Sequence, residues 1–235
     1  MIHDGHKQRL RERALKDFDT LAQHEILELL LNFGIVRKNT NPLAHNLLLK
    51  YGSLSNVMNA DLSSLLKVDG LGEVGATLLT LIPKLCNAYS KSRCAAYSKI
   101  TNTAEAGEYC RNLLNFLNNE VVYAICLDKY DTIIDSVKVA TGTVDFISIT
   151  PQQLVKQILI HNPHHIYISH NHPKGPVFPS DSDILFTAEL MKVLIPFNIE
   201  LKDHIIISND SYFSMSTIDE FQNIKTNLEM NLKKP

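Results

Sequence analysis

The pattern of apolar and polar positions changes near residues 89–99, and the change divides the chain into two regions. Before it, apolar residues recur at helical spacing, as in the run Ala22 to Phe33, where Leu27 and Leu31 share one face. After it, short β-branched and aromatic runs alternate with helical ones, and the run 165–169 (HIYIS) is typical of a buried strand. The pattern therefore predicts a small all-α N-terminal domain followed by an α/β domain whose mixed sheet is flanked by helices.

Capping and turn residues place the individual elements. In the first region we expect helices over 8–16, 22–33, 41–51, 53–58 and 62–67, and a last one from about 72 to about 88. In the second region we expect helix 104–117, strands 121–127 and 132–140, helix 151–161, strand 165–169, helix 181–194, strand 199–207 and a short strand at 213–215. After Ile218 the spacing of Phe221, Ile224 and Leu228 predicts a terminal helix that frays into a polar tail.

The charge of the chain changes sign at the same place as the pattern. Residues 1–100 carry 13 Lys/Arg against 9 Asp/Glu, whereas residues 101–235 carry 10 against 16, so the first region is mildly basic and the second acidic. The stretch 89–99 (YSKSRCAAYSK) is rich in small and charged residues and is typical of a linker. The predicted division is a helical domain 1–90, a linker 91–101, an α/β domain 102–217 and a polar terminal helix or tail 218–235.

A group of potential metal ligands follows the predicted buried strand 165–169. His170 and His172 come at its end, and Ser180 and Asp183 come after a loop rich in proline and glycine. Residues two apart on a strand point to the same side, so the two imidazoles can meet at one point. Two neutral imidazoles and one carboxylate, with a fourth position left for water, form the ligand set of a catalytic zinc. Ser180-x-x-Asp183 is also typical of a capping box, and that role is compatible because the serine can hold the carboxylate in place.

The segment 170–183 (HNHPKGPVFPSDSD) resembles the signature of the JAMM (MPN-type) zinc metalloproteases, and in its details that of the RadC-like family, HNHPxG…PSxxD. The likeness continues in LKDHIII at 201–207 and in ATGTVD at 140–145, and it covers about 102–217. It implies a JAMM/MPN-like fold, one zinc ion per chain held by the two histidines and the aspartate, and hydrolysis of an amide in a peptide or protein substrate.

The resemblance also implies a general base, because JAMM proteases carry a glutamate on a strand that precedes the histidines. Glu120 heads the apolar strand 121–127 and is the candidate. Its alternative role is that of a solvated glutamate after the helix 104–117, as most glutamates are exposed. Asp128 and Asp131 are rival bases, but they are predicted at the far end of the strand.

These assignments predict a mechanism. Zinc lowers the pKa of its water to about 7. Glu120 takes the proton of that water and passes it to the leaving nitrogen, while Ser180 donates a hydrogen bond to the oxyanion. Residues expected to hold the ligands in place are Ser169, Asn171 and Asp203. His204 is expected near the site, with a structural role.

The N-terminal region contains a second recognisable loop, VDGLGEVGA at 68–76. It resembles the helix-hairpin-helix turn, in which backbone N–H groups at a helix N-terminus approach a DNA phosphate. RadC-like proteins carry such a segment here, and GHKQRLRER and EILELLL also match their N-terminal region. The loop residues that could contact DNA are Gly70, Gly72 and Gly75. Asp69 and Glu73 flank these glycines and would repel a phosphate, so the alternatives are a simple interhelical turn or a protein-binding or substrate-presenting module.

Composition excludes several classes of protein. No apolar run approaches the roughly 18 residues that span a membrane, and the charged N-terminus lacks a signal-peptide core, so we expect a cytoplasmic protein without a membrane partner. The four cysteines have no CxxC spacing, which argues against a structural zinc or a redox motif. The His-x-Glu and Pro-Cys-x-x-Cys pair of a zinc deaminase is absent from the sequence.

Two functions remain open. The first is a zinc hydrolase that cleaves a peptide or isopeptide amide. The second is a DNA-maintenance protein that binds DNA weakly and non-specifically through its helical domain, with a zinc site that is auxiliary or acts on a phosphodiester. Hydrolysis of phosphodiesters usually draws on two metals, and the sequence contains one ligand set, which favours the first function.

Overall fold

The computed structural model describes residues 2–35, 38–142 and 149–232, which divide into two compact units, Met1–Cys86 and Asn87–Pro235. The first unit confirms the predicted all-α region. Its helices are α1 (Ile2–Lys16), α2 (Gln23–Gly34), α3 (Asn41–Tyr51), α4 (Leu54–Met58), α5 (Leu62–Leu65) and the first part of α6 (Gly72–Arg93). The stretch that the sequence suggests as a linker is helical up to Arg93 and continues in the 3-10 turn Cys94–Ala96.

The core of the first unit is made by the apolar faces of α2 to α6. Its fully buried side chains include Leu27, Leu31, Leu47, Leu65 and Leu79. One acidic residue is buried beside them: Glu28 is 1% exposed, and its carboxylate accepts hydrogen bonds from Asn41 Nδ2 at 2.7 Å and contacts His6 Nε2 at 2.9 Å. Both carboxylate oxygens therefore have polar partners, as burial of a charged group requires.

The second unit confirms the predicted mixed sheet flanked by helices. Its elements in chain order are α7 (Thr103–Leu114), β1 (Val121–Leu127), β2 (Ile133–Thr141), α8 (Pro151–Ile158), β3 (His165–Asn171), α9 (Asp181–Leu194), β4 (Glu200–Ser208), β5 (Ser211–Ser214) and α10 (Asp219–Leu232). The strand order is β2-β1-β3-β4-β5, in which β3 and β4 are parallel and the other pairs antiparallel.

Helices cover both faces of this sheet. Helix α7 packs on one face, where it buries the side chains of Tyr123, Tyr167 and Ile205. Helices α8, α9 and α10 pack on the other face and bury Ala124 and Ile168. Strand β1 is buried along its whole length because it lies inside the sheet with helices on both sides. This explains its continuous apolar sequence, which an amphipathic strand would not have.

Several predicted boundaries need correction. Helix α1 begins at Ile2 instead of residue 8, and α6 extends to Arg93 instead of ending near residue 88. The helix predicted to reach Leu117 ends at Leu114, because Phe116 has a left-handed backbone (φ 65°) that an α-helix cannot contain. Strand β3 extends beyond the predicted Ser169 to Asn171 because β4 continues to pair with it. The last strand ends at Ser214, and Met215 begins a 3-10 turn.

Two further predictions concern the ATGTVD segment and the membrane. Of the ATGTVD segment, Thr143, Val144 and Asp145 lie outside the described residues. Among the described helices, none combines the length and apolar character that crossing a membrane requires.

Candidate metal centre

The two histidines of the HNH segment lie at the C-terminal end of β3, the central strand of the sheet. His170 is on the strand and 3% exposed, opposite Val122 of β1 and Ile206 of β4. His172 follows the strand, and its N–H donates to the Ile207 carbonyl at 2.7 Å. The two Nε2 atoms are 2.9 Å apart. The side chains therefore converge, as their spacing on a strand predicts.

The N-terminus of α9 brings the carboxylate to the same point. Ser180 caps the helix and Asp183 is its third residue, and both the amide and the hydroxyl of Ser180 donate to Asp183 Oδ2, at 2.8 and 2.6 Å. The other carboxylate oxygen, Oδ1, lies 3.2 Å from His170 Nε2, while Oδ2 lies 3.7 Å from His172 Nε2. The capping box thus fixes the carboxylate that faces the imidazoles.

The spacing of these atoms fits a tetrahedral zinc ion. With zinc–ligand distances of about 2.0–2.2 Å, ligand atoms in a tetrahedron lie about 3.3–3.6 Å apart. The two Nε2 atoms lie 2.9 Å apart, Asp183 Oδ1 lies 3.2 Å from His170 Nε2, and Asp183 Oδ2 lies 3.7 Å from His172 Nε2, so these contacts bracket that spacing with two carboxylate oxygens. The donor set, two imidazole nitrogens and one carboxylate, is also one that zinc prefers.

A hydrogen bond from His172 to a main-chain carbonyl determines which of its two ring nitrogens is protonated. Its Nδ1 lies 2.7 Å from the Pro176 carbonyl, which can only accept a hydrogen bond. Nδ1 therefore carries a proton, and in the neutral ring Nε2 keeps its lone pair.

A chain of three hydrogen bonds does the same for His170. The Thr187 hydroxyl donates to the Asp183 main-chain carbonyl at 2.6 Å and accepts from His204 Nδ1 at 2.7 Å. This leaves His204 Nε2 to accept from His170 Nδ1 at 2.8 Å. Both ligand histidines thus direct an unprotonated Nε2 at the same point, next to a carboxylate. Such an arrangement is stable around a cation, because two facing lone pairs otherwise repel each other.

Burial keeps the rings of His170 and His204 neutral. It lowers the pKa of His170 to about 3 and that of His204 to about 4, because a charged imidazolium would lose its hydration. For Asp183, burial opposes ionisation, but His170 and the hydrogen bonds from Ser180 outweigh it and hold the pKa of the carboxyl below its ordinary value. At neutral pH His170 is therefore neutral and Asp183 is ionised, the protonation states in which these side chains bind metals.

Glu120, the predicted base, lies beside the histidines. One of its carboxylate oxygens and one nitrogen each of His170 and His172 all lie within 4.8 Å of one another. Glu120 immediately precedes β1, so the antiparallel pairing of β1 with β3 brings it to the end of β3 where the histidines are. The side chain is half-buried.

The rival carboxylates lie elsewhere. Asp128 is at the other end of β1, where its Oδ1 accepts the N–H groups of Tyr130 and Thr132 in a turn. Asp131 pairs with His165 at 2.6 Å. Asp203 is buried on the sheet face that does not carry His204, and its carboxylate accepts hydrogen bonds from Ser214 and Ser216. Burial raises the pKa of Asp203 in spite of these bonds.

His170, His172, Asp183 and Glu120 are among the residues that line a cavity of about 630 Å³. The lining also includes the apolar side chains of Ile149, Leu185 and Phe186. Leu185 is 65% exposed although it is a large apolar residue on the helix that carries Asp183. A cavity lined by convergent polar groups and by apolar side chains is typical of a site that binds an organic ligand.

Ser180 has a constrained hydroxyl. The Ser180 Oγ–H donates to Asp183 Oδ2 at 2.6 Å. Ser182 Oγ lies 2.8 Å from Ser180 Oγ. The predicted hydrogen bond to an oxyanion would require this proton to change partner. The arrangement in the structure is the capping role that the sequence also suggests.

Sequence reasoning missed the partners of the ligands. Thr187 and the Pro176 carbonyl were not expected at the site, and His204 contacts His170 directly. The one available signal was the position of Thr187 on α9, four residues after Asp183 and therefore on the same side of the helix. Ser169 and Asp203 do not contact the ligand side chains: Ser169 donates to the Ile205 carbonyl at 2.7 Å.

The three glycines of the hairpin loop in the first unit differ in their exposure and in the space around them. Gly70 (φ 84°) and Gly72 (φ 63°) are exposed, and a Cβ added at either would meet no atom within 4 Å. Gly75 is buried, and a Cβ there would lie 2.9 Å from Leu71 Cδ1. Gly70 and Gly72 thus provide a left-handed turn, whereas Gly75 allows close packing inside the unit.

The sheet, the convergent histidines and the capped aspartate define the second unit as a JAB-type domain. Comparison with protein families agrees: the RadC-like JAB domain matches residues 100–220, and the UPF0758 N-terminal domain matches residues 4–77. The chain belongs to the RadC-like family, which confirms the resemblance seen in the sequence. A relative from Fusobacterium nucleatum, a UPF0758 protein, is 36% identical over 220 residues, which cover 90% of this chain and 95% of that protein.

Proposed function

We propose that this protein is a zinc-dependent hydrolase that cleaves a peptide or isopeptide amide bond, with one zinc ion per chain. The observation that carries the proposal is the convergence of two unprotonated imidazole nitrogens and a capped carboxylate, with Glu120 beside them. His170, His172 and Asp183 would hold the metal. When bound, zinc supplies a Lewis acid and lowers the pKa of a coordinated water to about 7.

The protein residues supply the remaining chemistry. The Glu120 carboxylate takes a proton from the attacking water and returns it to the leaving nitrogen, which is general base and then general acid catalysis. His204 and the Pro176 carbonyl hold the Nδ1 protons of the ligand histidines, so each ligand keeps one orientation and one tautomer. Asp183 stays ionised because Ser180 donates two hydrogen bonds to it.

The cavity supports a peptide-like substrate. A segment of chain next to the scissile amide can lie along the apolar side chains of Ile149, Leu185 and Phe186, where it buries their exposed surface and displaces water from the site. Exclusion of water also strengthens the electrostatic interactions of Glu120 with the reacting groups.

The experiment is an unbiased peptide-cleavage screen with the purified, zinc-analysed protein, run in parallel with the Glu120→Gln variant. Cleavage by the wild type that is absent from the variant supports the proposal. A zinc-loaded wild type that cleaves no peptide or isopeptide across such a library contradicts it.

A second candidate function is DNA binding by the helical unit. The observation that favours it is the exposed Gly70–Gly72 turn at the start of the long helix α6, because a helix N-terminus can bind a phosphate through its first backbone N–H groups. The flanking Asp69 and Glu73 oppose it, since both are exposed and acidic. We therefore expect weak and sequence-independent binding at most.

A further inference from the structure

The pairing between β1 and β3 ends beside the candidate metal ligands. The last pair in the register is Val122 with His170. Beyond it, β3 continues alongside β4, and the N–H of His172 donates to the Ile207 carbonyl at 2.7 Å. Strands β1 and β3 thus separate at the point where the Glu120 side chain faces the imidazoles. The backbone around Glu120 therefore needs hydrogen bonds other than those of the β1–β3 pairing.

The side chain of Asn171 provides this support. It is 4% exposed, and its Oδ1 accepts the Val121 N–H at 2.8 Å. Its Nδ2 donates to the Asn119 carbonyl at 3.0 Å and lies 3.4 Å from the Leu117 carbonyl. The amide therefore binds main-chain groups on both sides of Glu120.

A third bond holds the segment from the direction of β2. The N–H of Gly142 donates to the carbonyl of Glu120 at 2.8 Å. With Asn119, Glu120 and Val121 all hydrogen-bonded through their main chains, the remaining freedom of the carboxylate is that of its own side-chain torsions. Restricting a catalytic group in this way keeps it near the reacting geometry.

The chemistry of asparagine suits this place. A primary amide has a donor and an acceptor, whereas a carboxylate has acceptors alone and a hydroxyl is shorter. Successive side chains on a strand alternate, so Asn171 points to the face covered by α7 while the two histidines point to the other face. It can therefore act on the base without touching the metal ligands.

We propose that Asn171 is a positioning residue that sets Glu120 against the ligand pair. The three-residue segment 170–172 would then fix both the ligands and the base of the site. The catalytic consequence rests on the hydrolase function proposed above, whereas the structural tie between Asn171 and the segment 119–121 does not. The two parts can be tested separately.

The test compares three variants of the full chain. Asn171→Ala removes both hydrogen bonds, and Asn171→Asp keeps the shape and the acceptor but loses the donor. Ser169→Ala is the matched control, because Ser169 is fully buried on the same face of β3, two residues earlier, and its hydroxyl donates to the Ile205 carbonyl instead. Equal folding of control and test variants is checked by thermal unfolding.

The first readout uses metal-free protein and hydrogen exchange. We expect the Val121 amide to exchange about tenfold faster in Asn171→Ala, the factor for one lost buried hydrogen bond, and to be unchanged in Ser169→Ala. The second readout loads Co²⁺ as a probe and follows the paramagnetic shift of the ¹³C-labelled Glu120 carboxyl, assigned by its absence in Glu120→Gln. That shift should move toward the diamagnetic value in Asn171→Ala, less so in Asn171→Asp, with Co²⁺ still bound.

Where a substrate is found, kcat of Asn171→Ala should fall on the order of 10²-fold while Ser169→Ala stays near the wild type. An unchanged Val121 amide in Asn171→Ala overturns the structural tie, whatever the enzymatic activity. Loss of Co²⁺ binding in both Asn171 variants, or an unmoved Glu120 signal in Asn171→Ala, overturns the positioning role. If the wild type shows no activity, that result counts against the hydrolase function. Hydrogen exchange of the Val121 amide still tests whether Asn171 holds the segment 119–121.

Discussion

Two loops of this chain each lead into the N-terminus of a long helix, and they differ in the side chains that lie around that N-terminus. The loop 172–180 connects β3 to α9 and so brings Asp183 to the two histidines, and Glu120, which precedes β1, lies beside those histidines. The loop 66–71 leads into α6 and consists of a left-handed glycine turn flanked by exposed acidic residues. Among the described residues, the potential metal-binding cluster lies at the first loop.

The difference shows that a helix N-terminus is not sufficient for a site. Both loops lead into a helix N-terminus, but at α9 the N–H and the hydroxyl of the capping Ser180 hold a carboxylate that faces two imidazole rings. His170 lies at the end of a strand buried between two layers of helices, so its ring is desolvated and its orientation fixed by His204. At the hairpin, Gly70 and Gly72 determine the backbone shape and carry no side chain that could bind a ligand.

The largest expected effect is loss of the metal. His172→Ala and Asp183→Ala should each abolish stoichiometric zinc binding, because two ligands leave too few protein donors for a tight site. Ser180→Ala is the control, since it removes a cap but no ligand, and it should retain zinc. Metal content of the purified proteins measures this. A His170→Ala/His172→Ala variant that still binds one zinc per chain would refute the assignment.

The next effect concerns the base. Glu120→Gln keeps the size of the side chain but removes its basicity, so we expect zinc and folding to be retained while cleavage falls by about 10²–10⁴-fold. Glu189→Gln is the matched control, because Glu189 also lines the cavity and its carboxylate has no assigned role. Loss of zinc from the Glu120 variant would make Glu120 a ligand, and full activity would remove it from the mechanism.

A smaller effect is the pH dependence of stability in metal-free protein. His170 and His204 have folded pKa values of about 3 and 4, below the ordinary 6.5, so the unfolded chain takes up their protons first as pH falls. Stability that is present above pH 6.5 should therefore decline toward pH 4, by on the order of 1 kcal/mol per pH unit for each ring. Urea unfolding across this range measures it.

The matched variant for this prediction is His204→Asn, which removes one of the two rings. Its unfolding free energy should depend less steeply on pH than that of the wild type between pH 6.5 and 4. Equal slopes for the two proteins would show that the pKa of His204 is not lowered in the folded state.

The sequence predicted those parts of the site that depend on local spacing. The His-x-His pair lies on one strand end and Ser180-x-x-Asp183 on one helical turn, so short-range geometry fixes both. Their partners come from distant segments: His204 lies 34 positions from His170, and Asn171 bonds to Val121 across 50 positions. Such contacts depend on the order of strands in the sheet, which hydrophobic pattern alone does not specify.

The smallest effect is expected at the hairpin. If Gly70 and Gly72 approach a phosphate, duplex DNA should bind the full chain weakly, without sequence preference, and less tightly as salt increases. Glu73→Lys should then strengthen binding several-fold at low salt, because a repulsive charge beside the loop becomes attractive. Asp61→Lys is the control, since Asp61 is an exposed acid at the start of α5 that changes net charge equally from outside the loop. Equal gains in the two variants would indicate a general charge effect, and no binding by any of them at low salt would leave the helical unit as a protein-binding module.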